Sequence, residues 1–297
     1  MSTRRQLHYE VLGVRVDAMT IDQSLDVIAG WVAHPTDVSR VVIKPYVEFV
    51  SAAHVDSQLR ELLNRADLSL ADGISIQWAA SYLYGKPSTR PGLGKLFMSL
   101  FVWLQKPNWR DQIIPERFAG INHTKPLLGR AETEGWRVGV IGGSDPGHTA
   151  ASLRERWPKL NLGGAWSGFT PSTQSADYSN WHQDAQFSAI LEEIRAAKLD
   201  VLLVAMGFSR QECFMDTMRS EGVATIMIGE GGSFDYAELG GKRSRAPMLM
   251  RKIGLEWLWR LLLQPSRILR QLAIPKYIWA VHTAAKREYR AHLQEKL

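Results

Sequence analysis

Short apolar runs that end in glycine or in a polar residue recur along this chain and constrain its fold more than any other feature. The clearest are Val41–Ile43, Leu68–Ala71 and Asp200–Gly207, which read as buried strands. Segments with the helical spacing of apolar residues separate them. Because strands that alternate with helices are typical of a parallel sheet with helices packed on it, the sequence predicts an α/β fold.

Three further elements are predicted from periodicity. Residues 9–16 alternate between apolar and other side chains and predict one strand, whereas residues 47–64 predict one helix. A basic amphipathic helix is predicted from Lys276 to the end, after Pro275 interrupts the preceding segment.

Length and composition set broad limits on the kind of protein. The 297 residues suffice for one large domain or two modest ones, and a hydrophobic content of 45% is ordinary for a folded protein. Cys213 is the only cysteine, which excludes an internal disulfide and a multi-cysteine zinc site and favours a reducing compartment. Polar, alternating residues follow the basic N-terminus, so no signal peptide is predicted.

The net charge of +6 is divided unevenly along the chain. Residues 242–297 contain 13 Lys and Arg against three Glu, a net charge of +10, which leaves −4 for residues 1–241. The tail is also rich in Trp, Leu and Ile in stripes, a pattern that favours an anionic membrane surface over nucleic acid as its partner. We therefore predict an α/β catalytic core at 1–241 and a basic amphipathic helical appendage at 242–297.

Residues 86–116 break the strand–helix alternation and are predicted to be an apolar insertion in the core. Within them, Leu96–Leu104 is almost uninterrupted apolar sequence between Lys95 and Lys106. It is too short to cross a bilayer, which takes about 20 apolar residues as a helix. Two interpretations remain open: a segment that dips into the membrane interface, and a buried core helix.

Asp72 is the first candidate for catalysis. It follows the buried run Leu68–Ala71 and precedes Gly73 and a predicted helix. Ligands of open α/β sheets bind at the carboxyl ends of the strands, where this carboxylate could accept a proton from a sugar hydroxyl. The alternative is that Asp72 only caps the helix, since Asp is a preferred N-cap residue.

Other strand ends supply candidate residues for substrate binding. The glycine turn at Gly142 and Gly143 precedes a helix and could hold a phosphate or a sugar, although it lacks the full dinucleotide-binding pattern. The remaining candidates follow other predicted strands: Lys44 and Tyr46, then Arg210, Gln211 and Glu212, and then Gly231 and Asp235. Gln211 can both donate to and accept from a sugar hydroxyl.

Arginines in the appendage supply fixed positive charge. Arg267 and Arg270 are three residues apart on one face, and Arg260 lies one element earlier. They could bind a diphosphate, or they could only face anionic lipid headgroups. No Asp-x-Asp pair occurs, so the charge of a departing diphosphate would have to be neutralised by Arg, Lys or helix dipoles. The histidines show no ligand spacing, and no metal or cofactor is predicted.

Several short motifs occur along the chain in a fixed order: Asp72-Gly73, Gly207–Glu212, Gly231–Asp235, Arg245–Pro247, Gly254–Arg260, Pro265–Arg267 and Arg270. Together they resemble the WecG/TagA/CpsF glycosyltransferases, family 26 of the glycosyltransferases, over residues 9–272. The resemblance implies a Rossmann-like parallel-sheet core and a C-terminal helical appendage that docks on the membrane. It also implies inverting, metal-independent transfer of a sugar from a UDP-sugar to a polyprenyl-diphosphate-linked saccharide in bacterial surface polysaccharide biosynthesis.

The resemblance also implies roles for individual residues. Asp72 matches the proposed catalytic base, Arg117 an active-site arginine and Gln211 a pocket glutamine. Three appendage arginines match those thought to close over the UDP diphosphate: Arg260, Arg267 and Arg270. Where the family carries Thr-x-Asn, this chain has Lys44-Pro45-Tyr46. That departure indicates a branch whose sugar or acceptor differs from that of the N-acetylmannosamine-type transferases, and glucose or a uronic acid are the other donors we consider.

Such an enzyme would be cytoplasmic and peripheral on the inner face of the bacterial plasma membrane, and a homo-oligomer is compatible with the sequence. Two alternatives from other functional classes remain. A nucleotide-binding oxidoreductase would use the turn within Gly139–Gly147, and its incomplete glycine pattern counts against it. A non-enzymatic membrane-surface scaffold would use the basic tail and would bind lipid but not UDP.

Overall fold

The computed structural model describes residues 8–85, 91–105, 113–169, 178, 180–244, 246–248, 250, 259 and 273–294. Eight strands are present in this part of the chain: β1 (His8–Val11), β2 (Val14–Asp17), β3 (Arg40–Ile43), β4 (Leu68–Ser69), β5 (Arg137–Gly142), β6 (Asn161–Trp166), β7 (Leu199–Ala205) and β8 (Ala224–Gly229). Six of them form one sheet in the order β4-β3-β8-β7-β5-β6, and all neighbours in it are parallel. The predicted α/β fold with a parallel-sheet core is confirmed.

Helices connect these strands. The described α-helices are α1 (Ile21–Ala33), α2 (Val47–Val55), α3 (Ser57–Asn64), α4 (Ile74–Tyr84), α5 (Leu93–Gln105), α6 (Ile121–Glu134), α7 (Pro146–Arg156), α8 (Ala185–Ala196), α9 (Arg210–Thr217) and α10 (Ala273–Gln294). Short 3-10 turns occupy Trp181–Gln183, Met218–Ser220, Ser233–Asp235 and Ala237–Leu239. None of the described helices is both long enough and apolar enough to cross a membrane.

Both faces of the sheet are buried, which explains why its strands read as continuous apolar runs. Successive side chains of a strand point to opposite faces. In β7, Val201 and Leu203 therefore pack with α1 and α6 on one face. Leu202 and Val204 pack on the other face, in the cluster that also contains side chains of α2, α4, α9 and α10.

Two predicted elements are each divided in two by a local feature. Residues 9–16 do not form one strand: β1 and β2 pair antiparallel around Leu12 and Gly13, whose φ angles are 52° and 86°. Two-residue hairpin loops favour such positive φ values. The predicted helix over 47–64 is likewise broken at Asp56, which ends α2 and caps α3 by accepting bonds from the backbone N–H groups of Gln58 and Leu59.

The C-terminal helix α10 is described from Ala273, three residues before the predicted start, and includes Pro275. Tyr277 and Val281 are buried in the core, and the Tyr277 hydroxyl donates to the Ser75 carbonyl at 3.2 Å. The described end of the predicted appendage is therefore packed against α4. The division at residue 241 stays a prediction, because most of 245–272 lies outside the described residues.

Candidate active site

The strand order places the segments that follow β4, β3, β8 and β7 side by side at the carboxyl edge of the sheet. Asp72 follows β4, Lys44 follows β3, Glu230 follows β8 and Gly207 follows β7. This edge is where ligands bind in open parallel sheets. It therefore brings most of the sequence-predicted site residues into one region.

Asp72 is half-buried, and its backbone N–H donates to the Pro45 carbonyl at 2.9 Å, so the ends of β4 and β3 are tied together. The N-cap residue of α4 is Gly73, with a φ of +109° and no side-chain capping bond. The structure thus gives the cap position to Gly73 rather than to Asp72. The capping alternative for Asp72 is not supported.

Arg117 lies in a segment that is fixed at both ends. The Phe118 N–H donates to the carbonyl of Ala71 at 2.9 Å, directly before Asp72. On the other side, the Glu116 carboxylate accepts from the backbone N–H of Ile21 at 2.6 Å. These two bonds hold the half-buried Arg117 beside the strand end that carries Asp72.

Lys44 and Glu230 form a buried ion pair between β3 and β8. Their Nζ and Oε1 atoms are 2.6 Å apart, and the two side chains are 4% and 0% exposed. The Thr124 hydroxyl donates to the other carboxylate oxygen of Glu230 at 2.7 Å. A buried pair needs such extra bonds, because desolvation of both charges is costly. The predicted role of Lys44 in substrate binding stays a prediction, and its ammonium group already has a buried partner.

His123 lies beside this pair and is fully buried. The Ser24 hydroxyl donates to the Ile21 carbonyl at 2.6 Å, so its oxygen accepts from His123 Nε2 at 3.2 Å. That assignment places the ring proton on Nε2. Burial and then the charge of Lys44 hold the pKa of His123 well below its usual value, so the ring is neutral. Among the described residues, its Nδ1 atom has no hydrogen-bond partner.

Gln211 and Glu212 connect the turns after β7 and β8. Gln211 is 3% exposed; its Oε1 accepts from the Gly231 N–H at 2.9 Å, and its Nε2 donates to Glu212 Oε1 at 2.7 Å. Burial raises the pKa of Glu212 to about 8, against the smaller opposing effect of the bond from Gln211. In the described structure, Glu212 Oε2 has no partner. The pair therefore holds the glycine turn at Gly231 in place.

Aromatic rings connect the turn after β3 with the turn after β7. Tyr46 contacts Phe49, with ring centroids 4.9 Å apart, and Phe49 contacts Phe208 at 4.1 Å. The Tyr46 hydroxyl donates to the Glu48 carboxylate at 2.9 Å. A Cβ added at Gly73 would lie 3.9 Å from the Cβ of Tyr46. Tyr46, a predicted substrate-binding residue, thus lies between the start of α4 and the turn after β7.

The glycine turn after β5 has a packing role. The Gly143 N–H donates to the Ala205 carbonyl at 3.0 Å, and a Cβ at Gly142 would clash with that oxygen. Asp145 caps α7 by accepting from the His148 N–H at 2.9 Å. A carboxylate at a helix N-terminus occupies the position that an anion would prefer. A phosphate at Gly142 and Gly143 stays a prediction.

The other predicted residues are more peripheral. Asp235 forms an ion pair with Arg243 at 2.7 Å, and Arg210 is exposed. Ser209, just before Arg210, has a φ of 66°, a strained conformation for a residue other than glycine. The three appendage arginines, Arg260, Arg267 and Arg270, lie outside the described residues.

Three buried residues at this edge were not predicted from the sequence: Glu230, Thr124 and His123. Glu230 follows the buried run of β8 as Asp72 follows that of β4, so the same signal could have found it. Nothing in the sequence pairs Thr124 or His123 with it. In the part of the chain that the structure describes, no cluster of three or more His, Cys, Asp or Glu could hold a metal ion.

Comparison with protein-family models decides between the possible classes. The model described as "Glycosyl transferase WecG/TagA/CpsF family" matches residues 9–113 and 102–291. The chain belongs to the WecG/TagA/CpsF family of glycosyltransferases. As a member of that family it is a glycosyltransferase of surface polysaccharide biosynthesis, with a nucleotide-sugar donor and a sugar acceptor. Membership favours this function over the oxidoreductase and the scaffold.

The ion pair between Lys44 and Glu230 predicts that substitutions of its two residues have non-additive effects on stability. Lys44→Met leaves the carboxylate of Glu230 buried without its cation, and we expect the free energy of unfolding to fall by roughly 3–5 kcal/mol. Lys44→Met/Glu230→Met removes both charges and should lose less than the single variant. Urea denaturation measures both. Lys159→Met, at an exposed lysine, is the matched control; a double variant less stable than Lys44→Met would contradict the account.

The raised pKa of Glu212 predicts that the free energy of unfolding depends on pH. Between its usual pKa of 4.5 and its folded pKa of about 8, the folded state binds a proton that the unfolded state has lost. The contribution of this group to the free energy of unfolding should therefore fall by about 1.4 kcal/mol per pH unit as pH rises through that window.

Glu212→Gln cannot ionise, so the difference in unfolding free energy between wild type and this variant should carry that slope. Urea denaturation from about pH 5 to pH 8 measures it. Glu155→Gln, at an exposed glutamate of α7, should show no such slope. A flat difference for Glu212→Gln would mean that Glu212 is already ionised in the folded protein.

Proposed function

We propose that the protein transfers a hexose or N-acetylhexosamine from a UDP-sugar to a polyprenyl-diphosphate-linked saccharide, with inversion at the anomeric carbon and without a metal. The family match supports the reaction class. The observation that carries the finer proposal is the position of Asp72. It is a half-buried carboxylate at the carboxyl end of β4, beside the segment of Arg117, and the helix after it is capped by glycine.

Asp72 acts as the general base in this mechanism. Its carboxylate takes the proton of the acceptor hydroxyl as that oxygen attacks the anomeric carbon of the donor sugar. The new bond joins the acceptor oxygen to the anomeric carbon, and the bond between that carbon and the UDP oxygen breaks on the opposite face. The electron pair leaves with UDP, and the configuration of the anomeric carbon is inverted.

Fixed cations stabilise the charge that develops on UDP. The segment 116–118 is held by two hydrogen bonds, so the backbone that carries Arg117 is fixed next to the strand end before Asp72. Preorganised charges are effective because they need little rearrangement during the reaction. Arg260, Arg267 and Arg270 are proposed to join it from the appendage. Gln211 contributes by holding the Gly231 turn at the same edge of the sheet.

The acceptor is proposed to reach the enzyme at the inner face of the plasma membrane. The +10 charge of residues 242–297 favours an anionic surface. Packing of α10 against α4 supports this arrangement, because α4 begins two residues after Asp72. A membrane-facing appendage would thus lie close to the element that carries the catalytic base.

Asp72→Asn tests the base directly. The amide cannot accept the proton, so we expect kcat to fall by roughly 10²–10⁴-fold, while UDP binding measured by calorimetry stays close to wild type. Turnover is followed as UDP release and as the lipid-linked product, with a panel of UDP-sugars.

Asp145→Asn is the matched control, because it makes the same change at another strand end, and Asn keeps the capping function. It should leave turnover unchanged. Full turnover by Asp72→Asn would remove Asp72 from the mechanism. Absence of UDP binding by the wild type in the presence of lipid would contradict the UDP-sugar donor itself.

A further inference from the structure

The helix α5 presents an apolar surface that neither the fold nor the candidate site explains. Its inner face is packed: Leu96 and Ser99 are 5% and 7% exposed, and the Ser99 hydroxyl accepts from Trp78 Nε1 at 3.3 Å. The opposite face carries large apolar side chains in solvent: Leu93, Phe97, Met98 and Phe101. We call these four side chains the α5 ridge.

The ridge is continuous along the helix. Leu93, Phe97 and Phe101 follow one another at intervals of four residues, which places them on one face. Phe97 is 68% exposed and Phe101 is 57% exposed. One face of the helix is therefore part of the core and the other is exposed, and contact with the membrane interface stays a prediction.

The charge on α5 itself is positive. Residues 91–105 contain no Asp or Glu, and Lys95 is their one charged residue. Its Nζ lies 5.6 Å from the ring centre of Tyr82. Tyr82 also bonds to His282 of α10 at 2.8 Å, so α5 and α10 share a partner on α4. Lys276, Arg287 and Arg290 of α10 are exposed.

We propose that the α5 ridge inserts into the interfacial region of a bilayer with anionic headgroups, as a membrane contact separate from the C-terminal appendage. An interfacial helix has one apolar face that enters the acyl boundary and basic residues that meet the headgroups. A helix of 13 residues is long enough for this and too short to cross the bilayer. This proposal rests on the proposed function, because a lipid-linked acceptor is the reason for the enzyme to contact a membrane at this helix.

A second copy of the chain fits this surface less well. A two-fold contact pairs a surface with itself, so it would also bring Lys95 of one copy towards Lys95 of the other. Anionic headgroups instead complement this charge.

Insertion of the ridge would fix the orientation of the catalytic edge. The ridge is anchored to α4 through Trp78 and Ser99, and α4 starts two residues after Asp72. A bilayer that holds α5 therefore also holds the start of α4 at a set distance from the lipid surface. A lipid-linked acceptor needs this geometry, because its reactive hydroxyl lies at a set distance from the membrane.

The test is flotation of the full-length protein with vesicles of phosphatidylcholine alone and of phosphatidylcholine with phosphatidylglycerol, at low and high salt. We expect the wild type to bind the anionic vesicles and to retain part of the binding at high salt, because salt screens the cations but not the apolar contact. Phe97→Ser/Phe101→Ser should lower the partition coefficient by roughly tenfold or more. Both positions are largely exposed, so thermal unfolding should be unchanged.

Val38→Ser is the matched control, since Val38 is 45% exposed and precedes β3 at the opposite edge of the sheet. It should bind vesicles like the wild type. Wild-type partitioning by Phe97→Ser/Phe101→Ser would overturn the proposal. A wild type that binds neither kind of vesicle would also overturn it. If the double variant changed its oligomeric mass but bound vesicles like the wild type, the ridge would instead be a contact with a second copy of the chain.

A transfer assay separates this proposal from the proposed function. With a short-chain, water-soluble acceptor, Phe97→Ser/Phe101→Ser should turn over like the wild type, and with the acceptor embedded in vesicles it should be slower. A wild type that binds vesicles through the ridge but transfers no sugar to either acceptor would contradict the proposed function and leave the ridge in place.

Discussion

The buried ion pair between Lys44 and Glu230 is the interaction on which the catalytic edge of this protein depends. Residues 40–69 supply β3 and β4, residues 137–229 supply β5 to β8, and the two groups of strands meet where β3 pairs with β8. The ion pair lies at the carboxyl end of that seam. Thr124 brings α6 to the same carboxylate, so three distant segments share one buried charge. Each charge alone would be costly to bury, so the two residues are buried together as a pair.

From this seam the candidate site extends in two directions. Towards β4, backbone bonds to Pro45 and Ala71 fix Asp72 and the Arg117 segment without using either functional side chain. Towards β7, Gln211 fixes the Gly231 turn through its own side chain. In the proposed mechanism catalysis belongs to the β4 side of the edge, because Asp72 lies there at a strand end, next to the segment of Arg117.

Much of the fold could be predicted from the sequence, because buried parallel strands have a strong local signature. The runs at β3, β4 and β7 and the placement of Asp72 at a strand end follow from it. The hairpin at Leu12 was missed because leucine rarely adopts positive φ, and the break at Asp56 because a capping side chain inside a helical pattern gives a weak signal. Motif resemblance, not periodicity, identified Arg117.

The buried polar contacts could not be predicted for a different reason. Lys44 and Glu230 are 186 positions apart, and Thr124 is 106 positions from Glu230. Such pairs are set by sheet order, and local patterns do not encode it. Lys44 and Gln211 were predicted to bind substrate from their residue type, and the structure shows buried protein partners for both, so their roles in substrate binding stay predictions. A polar residue at a strand end therefore indicates where a site lies, but it does not indicate what that residue does there.

In the proposed mechanism, Asp72 faces the acceptor hydroxyl during transfer. A crystal structure of the protein with a UDP-sugar and a short, unreactive acceptor analogue would test this contact. We expect the analogue's atom at the position of the attacking oxygen to lie within hydrogen-bond distance of the Asp72 carboxylate, with the anomeric carbon between it and the diphosphate. An acceptor held by other residues, or a donor bound at the Gly142 turn away from Asp72, would contradict it.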